Sequence, residues 1–313
     1  MLELTPREYR ESDAPALSEL INAIENAGGA HAGLTPDFIG ARVRSIVRDP
    51  ASDSRLLFTP DGVLVAAGLL ATPPDGGFRL DVMGGVHPGW RGRGIGRGLL
   101  GWELNRAAEI HRASAPDASW EVHLVAPGED QTAVILYRRF GLTPVRCWFN
   151  MAASTATVPV VALPEGLRST PYRSAYEKDL YEAHVEAFAD HWGSQRRSFE
   201  EWATMVPHSE NFLPGLSSIA FAGDEIAGYV LGYKDADPTR LYVGHVGVRR
   251  PWRRRGLAGA LLSQVLRAAR AAGMDTAALE ADADSPTGAV GVYGRVGFAV
   301  ETRAVTYART LVP

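Results

Sequence analysis

Two short turns hold the residue types and spacing that could do chemistry. The run Gly247-Val248-Arg249-Arg250-Pro251-Trp252-Arg253-Arg254-Arg255-Gly256-Leu257-Ala258-Gly259 answers the earlier run Gly85-Val86-His87-Pro88-Gly89-Trp90-Arg91-Gly92-Arg93-Gly94-Ile95-Gly96. Each follows an aliphatic and aromatic stretch that reads as a strand and precedes apolar residues at helical spacing, Ile95, Leu99 and Trp102 or Leu257, Leu261 and Val265. A strand, an Arg- and Gly-rich turn and a helix start form a recipe for holding a diphosphate. Glycine lets the backbone approach the anion, the first helical N–H groups point at it, and the helix dipole favours negative charge. Arginine adds charge-assisted bonds. One such turn is a weak pattern, and a solvated basic helix cap explains it equally well. Two copies, each followed by Tyr-x-x-x-Gly and an apolar residue (Tyr137 to Leu142, Tyr293 to Phe298), favour the functional reading.

This pair of signatures resembles the acyl-CoA-binding motif and the following tyrosine motif of the GNAT N-acetyltransferase superfamily, in two tandem copies covering nearly the whole chain. The resemblance implies an α+β (mixed α/β) fold class: two tandem GNAT acyl-CoA N-acyltransferase folds, each a mixed splayed sheet flanked by helices. It implies acetyl-CoA as cosubstrate, with its pantetheine arm lying beside Val246, Gly247 and Val248 like an added strand. Arg253, Arg254, Arg255, Gly256, Leu257, Ala258 and Gly259 are then the diphosphate site. Gly85, Val86, Arg91, Gly92, Arg93, Gly94 and Gly96 are the corresponding set in the first copy.

Acyl transfer from a thioester to an amine needs a neutral amine and a proton for the departing thiolate. An alkyl amine has a pKa of about 10, so a base or a water chain must take its proton. The resemblance gives Tyr293 the acid role, against packing between helix and sheet. Glu280, in Ala278-Leu279-Glu280-Ala281, resembles the segment supplying the base in the protein N-terminal acetyltransferase branch; the alternative is a carboxylate paired with an arginine. Other family members carry a glutamate where this chain has Tyr242, which points to Tyr242 as part of the acceptor pocket. Strict alternation along the strand puts His245 on the opposite face from Tyr242 and gives it a packed, hydrogen-bonded role. Asp190, His191 and Trp192, between two expected helices, combine charge, imidazole and indole and border a polar amine, or else cap a helix. His184, Asp190 and His191 lack the spacing of a metal site, so no metal is expected.

The elements that must position these groups follow from periodicity. Helices are expected over 13–27, 35–47, 175–189 and 198–206, and strands over 64–71, 79–86, 226–233 and 241–248. Each half thus runs strand, two helices, several strands, helix, strand, helix, strand. The seam falls within 153–166, where Pro159 and Pro164 discourage a helix. The expected domains are 1–155, degenerate or non-catalytic, and 166–313, catalytic. In the first, Glu121 lies farther ahead of Tyr137 than Glu280 lies ahead of Tyr293, and Leu142 stands in place of Phe298.

With 313 residues the chain has room for two cores, and a hydrophobic content of 46% with 22% charged residues is that of a globular protein. A net charge of -4 argues against nucleic acid as a partner. One cysteine, Cys147, excludes an intramolecular disulfide and suits a reducing compartment. No apolar run suggests a leader or a membrane span, so a cytoplasmic monomer or homodimer is expected. The expected activity is acetylation of a small-molecule amine. The alternatives are a peptide or protein N-terminal acetyltransferase and a CoA-binding regulatory pseudoenzyme.

Overall fold

A computed structural model describes residues 3–28, 33–127 and 130–313. It divides into two compact units: residues 1–146 with 304–313, and residues 147–303. The elements run in the order expected of two similar copies.

The first unit opens with β1 (Thr5–Arg7), α1 (Ala14–Ala27), α2 (Pro36–Ile46) and the short α3 (Pro50–Asp53). The Thr35 side chain caps α2 by accepting from the Phe38 N–H. Strands β2 (Ser54–Phe58), β3 (Leu64–Ala71) and β4 (Arg79–Val86) follow, then α4 (Ile95–Ser114), β5 (Trp120–Pro127) and α5 (Gln131–Arg139). Neighbours from β1 to β4 are antiparallel. Strand β4 is parallel to β5, but only Arg79, Leu80 and Asp81 find partners there. Beyond them the two strands part.

Strand β6 (Thr143–Ser154) carries the chain into the second unit. There β7 (Leu167–Pro171), α6 (Glu177–Phe188), α7 (Phe199–Met205), β8 (Ser218–Ala222), β9 (Glu225–Lys234) and β10 (Arg240–Val248) lead to α8 (Leu257–Ala271), β11 (Thr276–Asp282) and α9 (Ala289–Arg295). Strand β10 is parallel to β11 only at Arg240, Leu241 and Tyr242, so this pair splays as β4 and β5 do. The final strand, β12 (Ala299–Leu311), closes the chain.

The closing strands are exchanged. Residues 148–154 of β6 pair antiparallel with β11, within the second unit. Residues 304–311 of β12 pair antiparallel with β5, within the first. Each compact unit therefore ends on a strand drawn from the other copy.

In each unit the strands carry an apolar cluster on both faces, as central strands require. In the second unit Val230, Leu241, Val243, Leu279 and Ala281 pack under α8, while Tyr229, Leu231 and Tyr233 pack under α6 and α7. In the first, Leu80, Val122 and Leu124 pack under α4, and Leu56, Leu64 and Leu69 under α1 and α2. No helix among the described residues is long and apolar enough to cross a membrane.

Candidate active site

The second copy's turn is built to leave amides unpaired. After β10 a single tight turn over Arg250–Trp252 leads to Gly256, whose φ of 82° only glycine adopts without strain. A side chain at Gly256 would meet nothing within 4 Å, so the space before the helix is open. Among the described residues, the N–H groups of Arg254, Arg255, Gly256, Leu257, Ala258 and Gly259 meet no acceptor in the protein; the first bonded amide is that of Ala260, to the Gly256 carbonyl at 3.1 Å. Such a row of unsatisfied donors is what an anion at a helix start requires.

The arginines divide the work. Arg253 is held internally: Nε donates to the Val248 carbonyl at 3.1 Å, one terminal nitrogen to Ala187 O at 3.1 Å and the other to Asp190 at 2.8 Å. The sequence assigned it to the diphosphate; the structure uses it to brace the turn against α6. Asp190, expected to border the acceptor, bridges Arg250 and Arg253 at 2.8 Å each. Bonds from Arg250 first, then Arg253, hold its carboxyl below the ordinary range. Arg255 lies over the Trp252 ring, 5.0 Å from its centroid. Arg254 has the one positive φ, 60°, of any non-glycine among the described residues.

The two signature tyrosines differ in one respect. The apolar residue of each motif closes its helix, since the Phe298 N–H donates to Tyr293 O at 3.1 Å and the Leu142 N–H to Tyr137 O at 3.0 Å, with Gly297 and Gly141 left-handed between. That much of the motif is helix-ending grammar. The Tyr137 hydroxyl, however, donates to Val125 O at 3.3 Å, whereas the Tyr293 hydroxyl has no partner among the described residues. Burial pushes Tyr293 up to about 12, so it keeps its proton at neutral pH.

The sheet face under α6 gathers the remaining candidates. Strand β10 contains a bulge at Gly244, between the Val243 and His245 register pairs. One extra residue shifts the alternation, so Tyr242 opposite Tyr233 and His245 opposite Leu231 share a face. The sequence expectation that they lie on opposite faces is corrected by this bulge. Tyr242 is 36% exposed. His245 is packed and hydrogen-bonded as expected, its Nδ1 3.0 Å from the Tyr233 hydroxyl, and His184 Nδ1 lies 2.8 Å from the Tyr229 hydroxyl. Desolvation, then neighbouring histidines, lowers His184 to about 3 and His245 to about 4, so both are neutral. Side chains at Gly244 and Gly247 would meet the Tyr233 and Tyr229 rings at 2.6 and 2.4 Å, so the glycines let these rings lie against the strand.

Glu280 is exposed on β11 and, by alternation with buried Leu279 and Ala281, faces the same side as Tyr242. Opposite it in register stands Asn150 of β6, whose amide donates to Thr302 at 3.0 Å. Opposite Asp282 stands Trp148, stacked on His191 at 5.9 Å and edge-on to Trp192 at 6.0 Å. Sequence reading missed Trp148 and Asn150, because they precede the seam and enter this unit only through β6.

The first copy has the same parts around a cavity of about 390 Å³. Gly84, Gly85 and Val86 of β4, Leu124 and Val125 of β5, the turn at Arg91, Gly92, Gly94 and Gly96, and Tyr137 line it. Arg91 is braced as Arg253 is, with Nε 3.4 Å from Val86 O and an ion pair to Asp130 at 3.1 Å.

Comparison with known proteins agrees with this geometry. The model of the acetyltransferase (GNAT) family matches residues 177–298, within the second copy. A mycothiol acetyltransferase of Thermobispora bispora is 31% identical over 72% of this chain and 74% of its own. The crystal structure of a GCN5-related N-acetyltransferase from Sphaerobacter thermophilus superposes with a TM-score of 0.80 at 30% identity, covering 99% of this chain and 96% of that one. A tandem GNAT protein from the clavulanic acid biosynthesis pathway shares the fold, with a TM-score of 0.69 at 20% identity over 99% of both chains.

Proposed function

Because this chain belongs to the GNAT acetyltransferase family and is an acyltransferase, we propose that its second copy transfers the acetyl group of acetyl-CoA to a primary amine of a small molecule by direct attack. The observation that carries this reading is the row of unpaired amides from Arg254 to Gly259, opening beside the gap between β10 and β11. These amides, with Arg254 and Arg255, bind the diphosphate. The β10 edge at Val246, Gly247 and Val248 orients the pantetheine arm. That the family match falls on this copy supports placing turnover here.

The residues then divide the proton traffic. Glu280 takes a proton from the amine, whose nitrogen forms the new bond to the acyl carbon as the carbon–sulfur bond breaks. Tyr293, protonated and unpartnered, gives its proton to the departing sulfur. Trp148, His191, Trp192 and Tyr242 border the acceptor. A relative named mycothiol acetyltransferase supports a small molecule as the acceptor class.

Calorimetry with coenzyme A and thiol release from acetyl-CoA over a panel of small amines test this reading. Heat with coenzyme A and amine-dependent thiol release are expected. Absence of both overturns it.

A further inference from the structure

Helices α4 and α8 follow equivalent turns, and counting from Arg91 and Arg253 their buried positions agree: Leu99 with Leu261, Leu100 with Leu262, Leu104 with Leu266 and Ala107 with Ala269. Among the five positions buried in both helices, one changes chemical type. Where α8 buries Val265, α4 buries Glu103, which is only 4% exposed. The facing strands change with it: Val230 opposite Val246 in the second unit corresponds to Gly68 opposite Gly84 in the first. A side chain on Gly68 would come within 2.3 Å of the Glu103 carboxyl oxygen, so the missing side chain is what admits the carboxyl. Two glycines and an acid stand where the second copy has three valines.

That acid borders the 390 Å³ cavity and has no hydrogen-bond partner among the described residues. Leaving a buried carboxyl unpaired is costly, and an apolar side chain would serve packing better. Burial pushes Glu103 up to about 8, so it is a neutral acid with an O–H to give. The other ionisable groups around the cavity are Arg91, Arg97, Asp130, Tyr137 and Arg139, with Glu25 near enough to act on Tyr137. A carboxylate would ask for a cation; a neutral acid asks for an acceptor oxygen.

We propose that the cavity of the first unit is an acyl-thioester site in which the Glu103 carboxylic acid donates a hydrogen bond to the acyl carbonyl, so that this copy holds acyl-CoA in preference to free coenzyme A. The proposal rests on the coenzyme reading above and extends it to the copy that does not turn over. The diphosphate sits at the first turn, the arm runs along β4, and the carbonyl meets Glu103 where Gly68 and Gly84 leave room. Val265 gives the second copy no such donor.

Site-resolved hydrogen–deuterium exchange on the full chain tests it, with acetyl-CoA and coenzyme A as probes and residues 91–99 and 253–261 as reporters. Residues 91–99 should be protected at about tenfold lower acetyl-CoA than coenzyme A, the worth of one hydrogen bond. Glu103→Leu should erase that ratio while leaving the response of 253–261 unchanged. Glu103→Gln, which keeps a neutral donor, should retain it. Equal protection of 91–99 by both probes in the unaltered chain, or a ratio that survives Glu103→Leu, overturns the proposal. Protection confined to 253–261 overturns it and leaves the coenzyme reading standing; protection of neither segment removes both.

Discussion

The Tyr137 hydroxyl donates to the carbonyl of Val125 at 3.3 Å, and that bond separates it from Tyr293, whose hydroxyl is unclaimed. A phenol already donating within its own copy is poorly placed to give its proton elsewhere. Tyr293→Phe should therefore lower the rate of thiol release by about two orders of magnitude or more, with coenzyme A affinity unchanged. Tyr137→Phe should leave the rate within about twofold, since it removes only one weak bond. Equal effects in the two variants would show that the working copy or the acid is misassigned.

The left-handed Arg254 sets stability against binding. Replacing a non-glycine residue at φ 60° with glycine relieves strain of about 1 kcal/mol, partly offset by the freer unfolded chain. Arg254→Gly should raise the thermal midpoint slightly while weakening coenzyme A binding, because it deletes a guanidinium at the turn. Unchanged affinity by calorimetry would exclude Arg254 from the diphosphate site.

The bulge at Gly244 can be probed with a single methyl. A Cβ there would sit 2.6 Å from the Tyr233 ring, so Gly244→Ala must displace the ring or the strand at a cost of about 1–3 kcal/mol. The Tyr233–His245 hydrogen bond should be lost with it, visible as a changed imidazole nitrogen shift by NMR. An unperturbed His245 signal would contradict the packing described.

The two copies should respond to pH with opposite sign. Glu103 ionises at about 8 when folded, against an ordinary 4.5, so its contribution to the first unit is full below pH 4.5 and is lost as pH rises to 8. His184 and His245 are lowered from 6.5 to about 3 and about 4, so their contribution to the second unit is full above pH 6.5 and is lost as pH falls to about 4. For His245 alone this is roughly 3 kcal/mol. Hydrogen exchange of α4 and β10 across this range should cross over. Parallel pH trends would refute whichever of the two assignments carries the wrong sign.

Much of this molecule was legible in the sequence because its signals are local. The helix of 14 residues in α1 lies within the expected 13–27, and β3 and β4 coincide with 64–71 and 79–86, since caps and periodicity act over a few residues. What escaped depends on contacts distant in sequence. Nothing near Trp148 tells that β6 will pair with β11 and stand beside Glu280 and Asp282. Nothing in the composition of β10 marks Gly244 as an extra residue, yet the bulge decides which face His245 takes. The bracing of Arg253 by Val248, Ala187 and Asp190 is likewise invisible to a motif that records only that an arginine is present.

The exchanged strands bind the fate of the two halves together. A gene truncated between the copies would strip β12 from β5 or β6 from β11, leaving a long sheet edge with its amides and carbonyls bare, a template for aggregation. Here each copy supplies a strand to the unit that holds the other copy's turn, so removing either copy leaves the other's sheet incomplete.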